Sequence, residues 1–251
     1  MDVKIYCPSY KRADTCFTHV GLPQVTYVVH EDEADAYLKN HDKVIGVSSE
    51  NQGSYPKACN YILRNNRDKR IVIMDDDVSG IFRFVNRKPK KLNCEQVDDF
   101  IYKASNLVEE FGAKYWGVNI IQDKQAYVEY TPFSTVSYCG GPFQGFVYND
   151  LLFDEEMLLK EDYDMTLQQL NKYRKVFRFN MYHYVSKQSN NVGGCATYRN
   201  FEEESYRLSR LQKKWGSHIV QVDVNNRSHN LKKKKKKFDY NPIIRPPIKG
   251  V

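Results

Sequence analysis

A short apolar stretch that runs directly into three aspartates constrains this 251-residue chain more than any other feature. Residues 71–74 read Ile-Val-Ile-Met and are followed at once by Asp75, Asp76 and Asp77. Four consecutive apolar residues, three of them β-branched, are typical of a strand that is buried on both faces. The aspartates then lie at the carboxyl end of that strand, where open α/β sheets bind their ligands.

Three adjacent carboxylates repel one another, and without a counter-charge at least one of them has a raised pKa. A divalent cation removes the conflict, because Mg²⁺ and Mn²⁺ prefer oxygen ligands and bind through one or two carboxylates together with substrate phosphates. The triplet therefore predicts a metal–diphosphate site. A solvated acidic turn is the alternative, since short motifs of this kind also occur without a function.

The first 80 residues alternate short apolar segments with segments of helical composition. Strands are predicted at residues 3–7, 25–29, 44–47 and 71–74, and helices near residues 36–38 and 54–66. Such alternation favours parallel pairing with right-handed crossovers. The pattern predicts an α/β fold with a Rossmann-like half of the nucleotide-binding type.

The pattern changes beyond residue 80, where helices and strands no longer alternate regularly. Helices are predicted at residues 95–111, 160–173 and 201–215, and strands at residues 81–85, 115–121, 144–148 and 176–184. A basic turn is predicted at residues 87–91 and an antiparallel ribbon at residues 125–138. We therefore predict a single mixed-sheet domain over residues 1–228, with a nucleotide-binding half at 1–80 and an acceptor half at 81–228. A basic extended tail follows at residues 229–251.

The charge of the chain is concentrated rather than uniform. Its formal net charge is +7, and residues 232–237 are six consecutive lysines. A block of like charge is usually a solvated tail, but its sign favours an anionic partner such as nucleic acid.

The six cysteines are widely scattered without a close pair, which argues against a zinc ribbon, a redox CxxC motif or a disulfide framework. They are most simply reduced thiols in a cytosol. No segment approaches the roughly 18 apolar residues that span a bilayer, and the N-terminus has no signal-peptide pattern. We expect a soluble cytoplasmic protein with no membrane partner.

Three motifs in this order resemble those of glycosyltransferases with the GT-A fold. Residues 8–12 read Pro-Ser-Tyr-Lys-Arg after the first strand, residues 51–60 contain Asn-Gln-Gly and Lys-Ala-Cys-Asn at a helix start, and the aspartate triplet follows. Lys11 stands where that loop often has Asn, and Lys57 and Cys59 replace the usual small residue and Arg. The resemblance covers about residues 3–215. The compact size and the Gly193-Gly194 loop are most similar to the phage-type, TET-associated DNA glycosyltransferases.

This resemblance implies a metal-dependent hexosyltransferase that uses a nucleotide-sugar, such as UDP-glucose, with Mn²⁺ or Mg²⁺. The implied acceptor is a hydroxyl group, such as that of a 5-hydroxymethylcytosine-type base in bacteriophage DNA. The basic tail would contact the DNA, and the location would be the host cytoplasm.

The resemblance also implies roles for residues on the donor side. Asp77 is the expected direct metal ligand, Asp75 a ligand through water or to the ribose, and Asp76 a supporting carboxylate. His183, at a predicted strand end, is the candidate third ligand, with His229 as the fallback and a structural hydrogen-bonding role as the alternative. Pro8, Tyr10 and Arg12 would line the base and ribose pocket, with Tyr10 stacking on the nucleobase, and Lys57 would offset the charge of the diphosphate. The remaining donor-side residues are Gly53 and the glycines Gly193 and Gly194, whose loop would close over the donor as a lid.

On the acceptor side, a transferase that inverts the anomeric centre needs a base for the acceptor hydroxyl. Asp162, beside Glu161 at a helix start, is the candidate, and Asp164 is its rival. The alternative is that these carboxylates only favour the positive end of the helix dipole. Gly140, Gly141 and Gln144 would shape the acceptor side, although a plain β-turn explains the glycines as well.

Other functions remain open at this point. The same fold with a glycan, lipid or protein acceptor is one alternative, and a nucleic-acid-binding module or metal-dependent nuclease is another. A sugar-nucleotide pyrophosphorylase ranks last, because its N-terminal loop would be glycine-rich and residues 8–12 contain no glycine.

Overall fold

The computed structural model describes residues 3–123, 127–186, 193–222 and 241–249. The sequence predictions for His229 and for the lysines at 232–237 lie outside these residues.

The nucleotide-binding half is a parallel sheet with short helices between its strands. The strands are β1 (Lys4–Pro8), β2 (Thr26–His30), β3 (Val44–Val47) and β4 (Arg70–Met74), paired in parallel in the order β3-β2-β1-β4. The helices are α1 (Thr18–Gly21), α2 (Ala34–Leu38) and α3 (Tyr55–Arg64). This arrangement confirms the predicted α/β class.

The acceptor half extends the same sheet with strands of mixed direction. Its elements are β5 (Val78–Val85), β6 (Lys88–Lys91), α4 (Cys94–Glu110), β7 (Tyr115–Asn119), β8 (Phe133–Ser134), β9 (Phe143–Val147), α5 (Glu161–Tyr173), β10 (Phe177–Ser186) and α6 (Phe201–Trp215). Strand β9 joins the halves, because it pairs antiparallel with both β4 and β7. The order continues as β9-β7-β10-β5-β6, and β8 pairs with β10.

Strand β4 lies in the centre of the sheet and is buried on both faces, as its sequence predicts. Val72 and Met74 pack into one hydrophobic cluster, and Ile71 and Ile73 pack into the cluster on the opposite face. Each fully buried aliphatic side chain contributes roughly 1.5–3 kcal/mol. The acidic triplet is therefore attached to one of the most firmly held strands of the molecule.

Helices α3 and α4 begin at clear sequence signals. In α4, Asn93 and Gln96 form a reciprocal capping box, and the buried face includes Phe100 and Ile101. In α3, the Ser54 side chain accepts a hydrogen bond from the Lys57 backbone, and Pro56 occupies the first turn.

Two predictions for local structure are wrong. Residues 88–91, predicted as a basic turn, form edge strand β6, which tolerates Pro89 because an edge strand needs fewer backbone donors. Part of the predicted extended tail is folded, since β12 (Pro242–Ile244) pairs antiparallel with β11 (Val220–Val222). Ile248 also packs against a core cluster. The domain boundary at residue 228 stays a prediction.

Within the described ranges, the longest helices are too short or too polar to cross a bilayer.

Candidate active site

The three aspartates after β4, here called the strand-end cluster, are held by the loop that follows β1. Arg12 forms an ion pair with Asp76, with Nη1 2.6 Å from Oδ1. Ser9 donates a hydrogen bond to the other oxygen of Asp76 and lies 2.7 Å from the Tyr37 hydroxyl. Asp76 is thus a buried, fully partnered carboxylate that fixes the loop. Its role as a supporting carboxylate of the donor site stays a prediction.

Asp75 and Asp77 lack a comparable cation. Burial, Asp77 and Asp76 raise the pKa of Asp75 to about 8, and burial and Asp76 raise the pKa of Asp77 to about 6. Asp77 is 2% exposed, and its Oδ1 atom has no hydrogen-bond partner among the described residues. The strand-end cluster is therefore short of positive charge, which is the condition that a bound divalent cation relieves.

The acidic residues at the start of α5, here called the helix-start cluster, are Glu161, Asp162 and Asp164. Burial and the adjacent Asp162 raise the pKa of Glu161 well above its usual range. Asp162 Oδ2 accepts hydrogen bonds from the Tyr138 hydroxyl and from the Gly141 backbone N–H, the latter at 2.8 Å. Asp162 Oδ1 accepts one from the Tyr163 N–H. Asp162 is therefore held in one orientation by neutral donors.

Asp164, the predicted rival of Asp162, has a structural role. Its side chain is fully buried, lies 2.9 Å from Lys214 Nζ and accepts a hydrogen bond from the Trp215 indole at 2.7 Å. Gln168 donates a further hydrogen bond. Asp164 thus ties α5 to α6, and its partners leave it poorly placed to act as a base.

One turn, residues 140–142, connects the two acidic clusters. The Asp75 N–H donates to the Pro142 carbonyl at 3.0 Å, while the Gly141 N–H donates to Asp162. A Cβ atom on Gly140 would lie 2.7 Å from the Asp162 Cβ, and one on Gly141 would lie 2.6 Å from the Tyr184 hydroxyl. Only glycine permits these approaches, so a plain β-turn does not fully explain the pair.

Several tyrosines line the region between the clusters, and the sequence did not single them out. Tyr55 hydrogen-bonds with Asp75, and Gln144 Nε2 donates to the Tyr55 hydroxyl at 3.3 Å. Asp75, Asp162 and burial all raise the pKa of Tyr184. In a chain with 19 tyrosines no sequence signal separates these hydroxyls from core residues.

The structure does not bring His183 to the aspartates. Its ring stacks on Phe82 with centroids 5.3 Å apart, and its Nδ1 faces the carbonyl of Tyr184 at 3.3 Å. Because successive side chains of a strand point to opposite faces, the neighbour Tyr184 faces the acidic residues while His183 packs among aromatic rings. These contacts are with aromatic rings and a backbone carbonyl rather than with the strand-end cluster, and His183 as the third metal ligand stays a prediction.

The loop after β1 contacts the predicted lid glycines. Arg12 Nη2 donates to the Gly193 carbonyl at 3.0 Å, and the Gly194 N–H donates to the Tyr10 carbonyl at 3.1 Å. Arg12 thus holds Asp76 and Gly193, and its contact with a ribose stays a prediction. Lys11 Nζ lies 5.0 Å from the Tyr10 ring centroid and covers one ring face. Stacking of Tyr10 on a nucleobase stays a prediction for its other face.

The remaining predicted donor-side residues lie around this loop and the start of α3. Pro8 ends β1 and is buried. Gly53 adopts a φ of +116° in an exposed turn, a conformation that favours glycine. The charge of Lys57 acts on Glu155, whereas Arg12 is the cation that lowers the pKa of the strand-end carboxylates. Lys57 as a diphosphate contact stays a prediction.

A separate groove of about 400 Å³ lies between α4 and strands β5 and β10, lined by Arg83, Phe100 and Tyr182 among others. Neither acidic cluster contributes to its lining, so we assign it no part of the chemistry.

Most of the chain is similar to known proteins. A family model described as TET-Associated Glycosyltransferase matches residues 3–194. No curated protein matches the chain. Among solved structures, S. aureus TarS 1–349 is similar with 13% identity and a TM-score of 0.43, covering 84% of this chain and 66% of that one. A CMP:2-keto-3-deoxy-manno-octonic acid synthetase complexed with CTP is similar with 11% identity and a TM-score of 0.44, covering 85% of this chain and 100% of that one.

Proposed function

The chain belongs to the TET-associated glycosyltransferase family, and on this premise we propose that it transfers a sugar from a nucleotide-sugar to a hydroxyl acceptor. The observation that supports the proposal most is the turn at residues 140–142, which hydrogen-bonds to Asp75 on one side and to Asp162 on the other. The turn thus holds a donor-side residue and an acceptor-side residue close together, and direct transfer requires that the two substrates be held close together.

We assign Asp77 and Asp75 as the residues that would hold Mn²⁺ or Mg²⁺ together with the donor diphosphate. The unpartnered, buried Asp77 Oδ1 and the raised pKa values of both carboxylates fit a cation at this position. The donor set is made of oxygens, which suits Mg²⁺ or Mn²⁺. When bound, such an ion stabilises the negative charge that develops on the departing diphosphate.

Asp162 is the proposed base that removes the proton from the acceptor hydroxyl as the new glycosidic bond forms. Tyr138 and the Gly141 N–H hold its carboxylate in place, which fixes the direction from which the acceptor approaches. Burial and the adjacent Asp162 raise the pKa of Glu161, so Glu161 retains a proton more readily than an ordinary glutamate does. Such an arrangement favours a single displacement with inversion at the anomeric carbon.

The proposed acceptor is DNA that carries hydroxymethylated pyrimidines. Besides the net charge of +7, the edge strand β6 supports this acceptor, because Lys88, Lys90 and Lys91 are all exposed and Arg87 precedes them. Strand β5 begins directly after Asp77 and pairs with β6, so the basic edge belongs to the same end of the sheet as the acceptor half. A basic edge also discourages strand-to-strand aggregation, which is the competing explanation.

A panel of nucleotide-sugars, each supplied with Mn²⁺, tests the proposal against hydroxymethylated and unmodified DNA, with the product mass as the readout. We expect a hexose-sized mass increase with hydroxymethylated DNA only, and its loss in Asp77→Asn at saturating Mn²⁺. Transfer to a glycan, lipid or protein but not to DNA would replace the acceptor, while DNA cleavage without sugar transfer would contradict the transferase.

The contribution of β6 to DNA binding is separable from catalysis. Lys88→Glu with Lys90→Glu should weaken DNA retention and reduce its salt dependence, because fewer phosphate contacts release fewer counterions. The matched control is Lys39→Glu with Lys43→Glu, an exposed pair near β3 at the opposite edge of the sheet. Equal losses in both double variants would assign DNA binding to general charge rather than to β6.

A further inference from the structure

Three metal-ligating side chains converge away from both acidic clusters, around α1 and the turn that follows α2. They are Cys16, His19 and His41, and one ligand atom from each lies within 4.8 Å of the others. Cys16 Sγ is 3.1 Å from His41 Nε2, and the two imidazole centroids are 4.4 Å apart. Cys16 and His41 are buried, and His19 is half-buried. Residues from two separate loops thus meet in one small volume.

We propose that Cys16, His19 and His41 bind a structural Zn²⁺ ion, with a water molecule in the fourth position. Zinc bonds of about 2.3 Å to sulfur and 2.0–2.1 Å to nitrogen place tetrahedral S and N ligands about 3.5 Å apart. The present Cys16–His41 separation differs from that value by only a few tenths of an ångström. A thiolate with two imidazoles suits Zn²⁺, whereas the carboxylates of the strand-end cluster suit Mg²⁺ or Mn²⁺.

The surroundings provide the outer contacts that a zinc site needs. The Tyr27 hydroxyl lies 3.1 Å from His19 Nδ1 and hydrogen-bonds with Cys16, so it holds two of the three ligands in place. His41 is 8% exposed, and within the part of the chain that the structure describes its Nδ1 has no hydrogen-bond partner. Hydrogen bonding alone therefore leaves this buried cluster incompletely satisfied.

The protonation chemistry of metal binding can be written in full. Burial raises the pKa of Cys16 to about 11, and burial and His19 lower the pKa of His41. Without metal, near neutral pH, Cys16 is a thiol. Zn²⁺ binding breaks the S–H bond, forms the S–Zn bond and releases one proton to solvent, while the imidazoles bind through neutral nitrogen lone pairs.

The ion would brace the loop that supports the strand-end cluster. The Cys16 N–H donates to the Arg12 carbonyl at 2.9 Å, and the Phe17 N–H donates to the Asp76 carbonyl at 2.9 Å. Linking this loop to His41 through a metal would help to fix the backbone of Asp76, in addition to the Arg12 ion pair. The role is structural and does not depend on which sugar or acceptor is used.

Cobalt substitution of the full chain is the sharpest test. Co²⁺ bound by Cys16 should give a thiolate-to-cobalt charge-transfer band in the near ultraviolet, which the carboxylates of the strand-end cluster cannot produce. The purified wild-type chain should also contain one zinc per molecule after dialysis against metal-free buffer. Both signals should disappear in Cys16→Ser and His41→Gln and persist in Cys94→Ser and Asp77→Asn.

These controls separate the outcomes. Cys94 is half-buried and its thiol donates to the Gly21 carbonyl, so its substitution matches the loss of a cysteine without touching the cluster. If a ligand variant fails to fold, the wild-type titration still decides. A folded wild-type chain with neither zinc nor a cobalt band would overturn the proposal, as would a band that survives Cys16→Ser.

The sequence considered alone did not point to this site. A single cysteine and two histidines do not form a familiar zinc-binding motif, because His41 lies far along the chain from Cys16 and His19. The ligands are brought together by the packing of the loop after β1 against the end of α2.

Discussion

The strand-end cluster and the helix-start cluster each contain three acidic residues. In each cluster an ion pair holds one carboxylate in place, while the other two lie toward the region between the clusters. In the strand-end cluster Arg12 forms an ion pair with Asp76, and it lowers the pKa of Asp75 and Asp77 too little to offset burial and the neighbouring carboxylates. In the helix-start cluster Lys214 neutralises Asp164, and neutral donors hold Asp162. The first cluster is thus suited to binding a cation, and the second is suited to accepting a proton.

The difference separates acidic residues that stabilise the fold from acidic residues that take part in the chemistry. A buried carboxylate with a direct cation and further hydrogen bonds, such as Asp76 or Asp164, is already compensated and stabilises the fold. A carboxylate that lacks a cation but is kept near others, such as Asp75, stores an electrostatic conflict that a ligand relieves. Substitutions in both groups of residues test this distinction.

Asp162→Asn should reduce the rate of sugar transfer by about 10²–10⁴-fold, the usual contribution of a positioned base. The amide keeps the size of the side chain but cannot accept the hydroxyl proton. Steady-state kinetics should show the loss in kcat, with donor affinity unchanged by titration calorimetry. A wild-type rate in this variant would remove Asp162 from the mechanism and leave the helix-start cluster with a structural role only.

Asp164→Asn should have the opposite profile, with transfer retained and stability reduced. Removing one charge of a buried ion pair is strongly destabilising when the other charge is left unpaired. Lys214 is partly exposed and keeps its ion pair with Asp154 at 3.0 Å, so we expect a loss of only about 1–2 kcal/mol. Urea unfolding measures it. Asp150→Asn is the control, since its ion pairs with Lys114 and Lys172 lie at the surface and should matter less. Equal losses in the two variants would contradict the assignment.

The apparent affinity for Mn²⁺ should rise about tenfold per pH unit between about pH 6 and pH 8, where binding displaces one proton, and then level off. The reason is the pKa of Asp75 at about 8, above the pKa of Asp77 at about 6. The sign of the metal-free stability follows from the same values. The folded chain holds these protons more tightly than the unfolded chain, so the free energy of unfolding should fall as pH rises from about 4 to 8.

Titration calorimetry at several pH values, in buffers of different ionisation enthalpy, measures both the affinity and the number of released protons. Asp75→Asn should flatten the pH dependence, because the amide does not titrate. An affinity that does not change with pH in the wild-type chain would contradict a shared cation at Asp75 and Asp77.

Gly193→Ala should lower stability by about 1 kcal/mol, the smallest effect of the four. Gly193 has a φ of +95°, and a Cβ there would lie 2.8 Å from the Tyr10 carbonyl oxygen. The contact between the lid residues and the loop after β1 should loosen. Gly21→Ala is the matched control, since a Cβ at Gly21 meets no atom within 4 Å. Thermal unfolding midpoints that fall equally for both variants would assign the loss to glycine in general.

Local sequence patterns predicted the framework well, because they encode burial and chain direction within a few residues. The apolar run before Asp75 predicted that β4 is buried on both faces, and the alternation up to residue 80 predicted that the strands pair in parallel. Asn93 and Gln96 marked the start of α4 through their capping box. In each case the physical signal lies in neighbours along the chain, so it is readable without knowing the fold.

The sequence by itself determined the α/β class, the acidic triplet at a strand end and the family to which the chain belongs. Only the tertiary structure decided which residues meet. Strand register turned Tyr184 rather than His183 toward the aspartates, since one residue along a strand reverses the face. The turn at residues 140–142 acquired its role because β9 pairs beside β4 while α5 begins against it, and contacts between residues so far apart in the chain leave no local pattern to read.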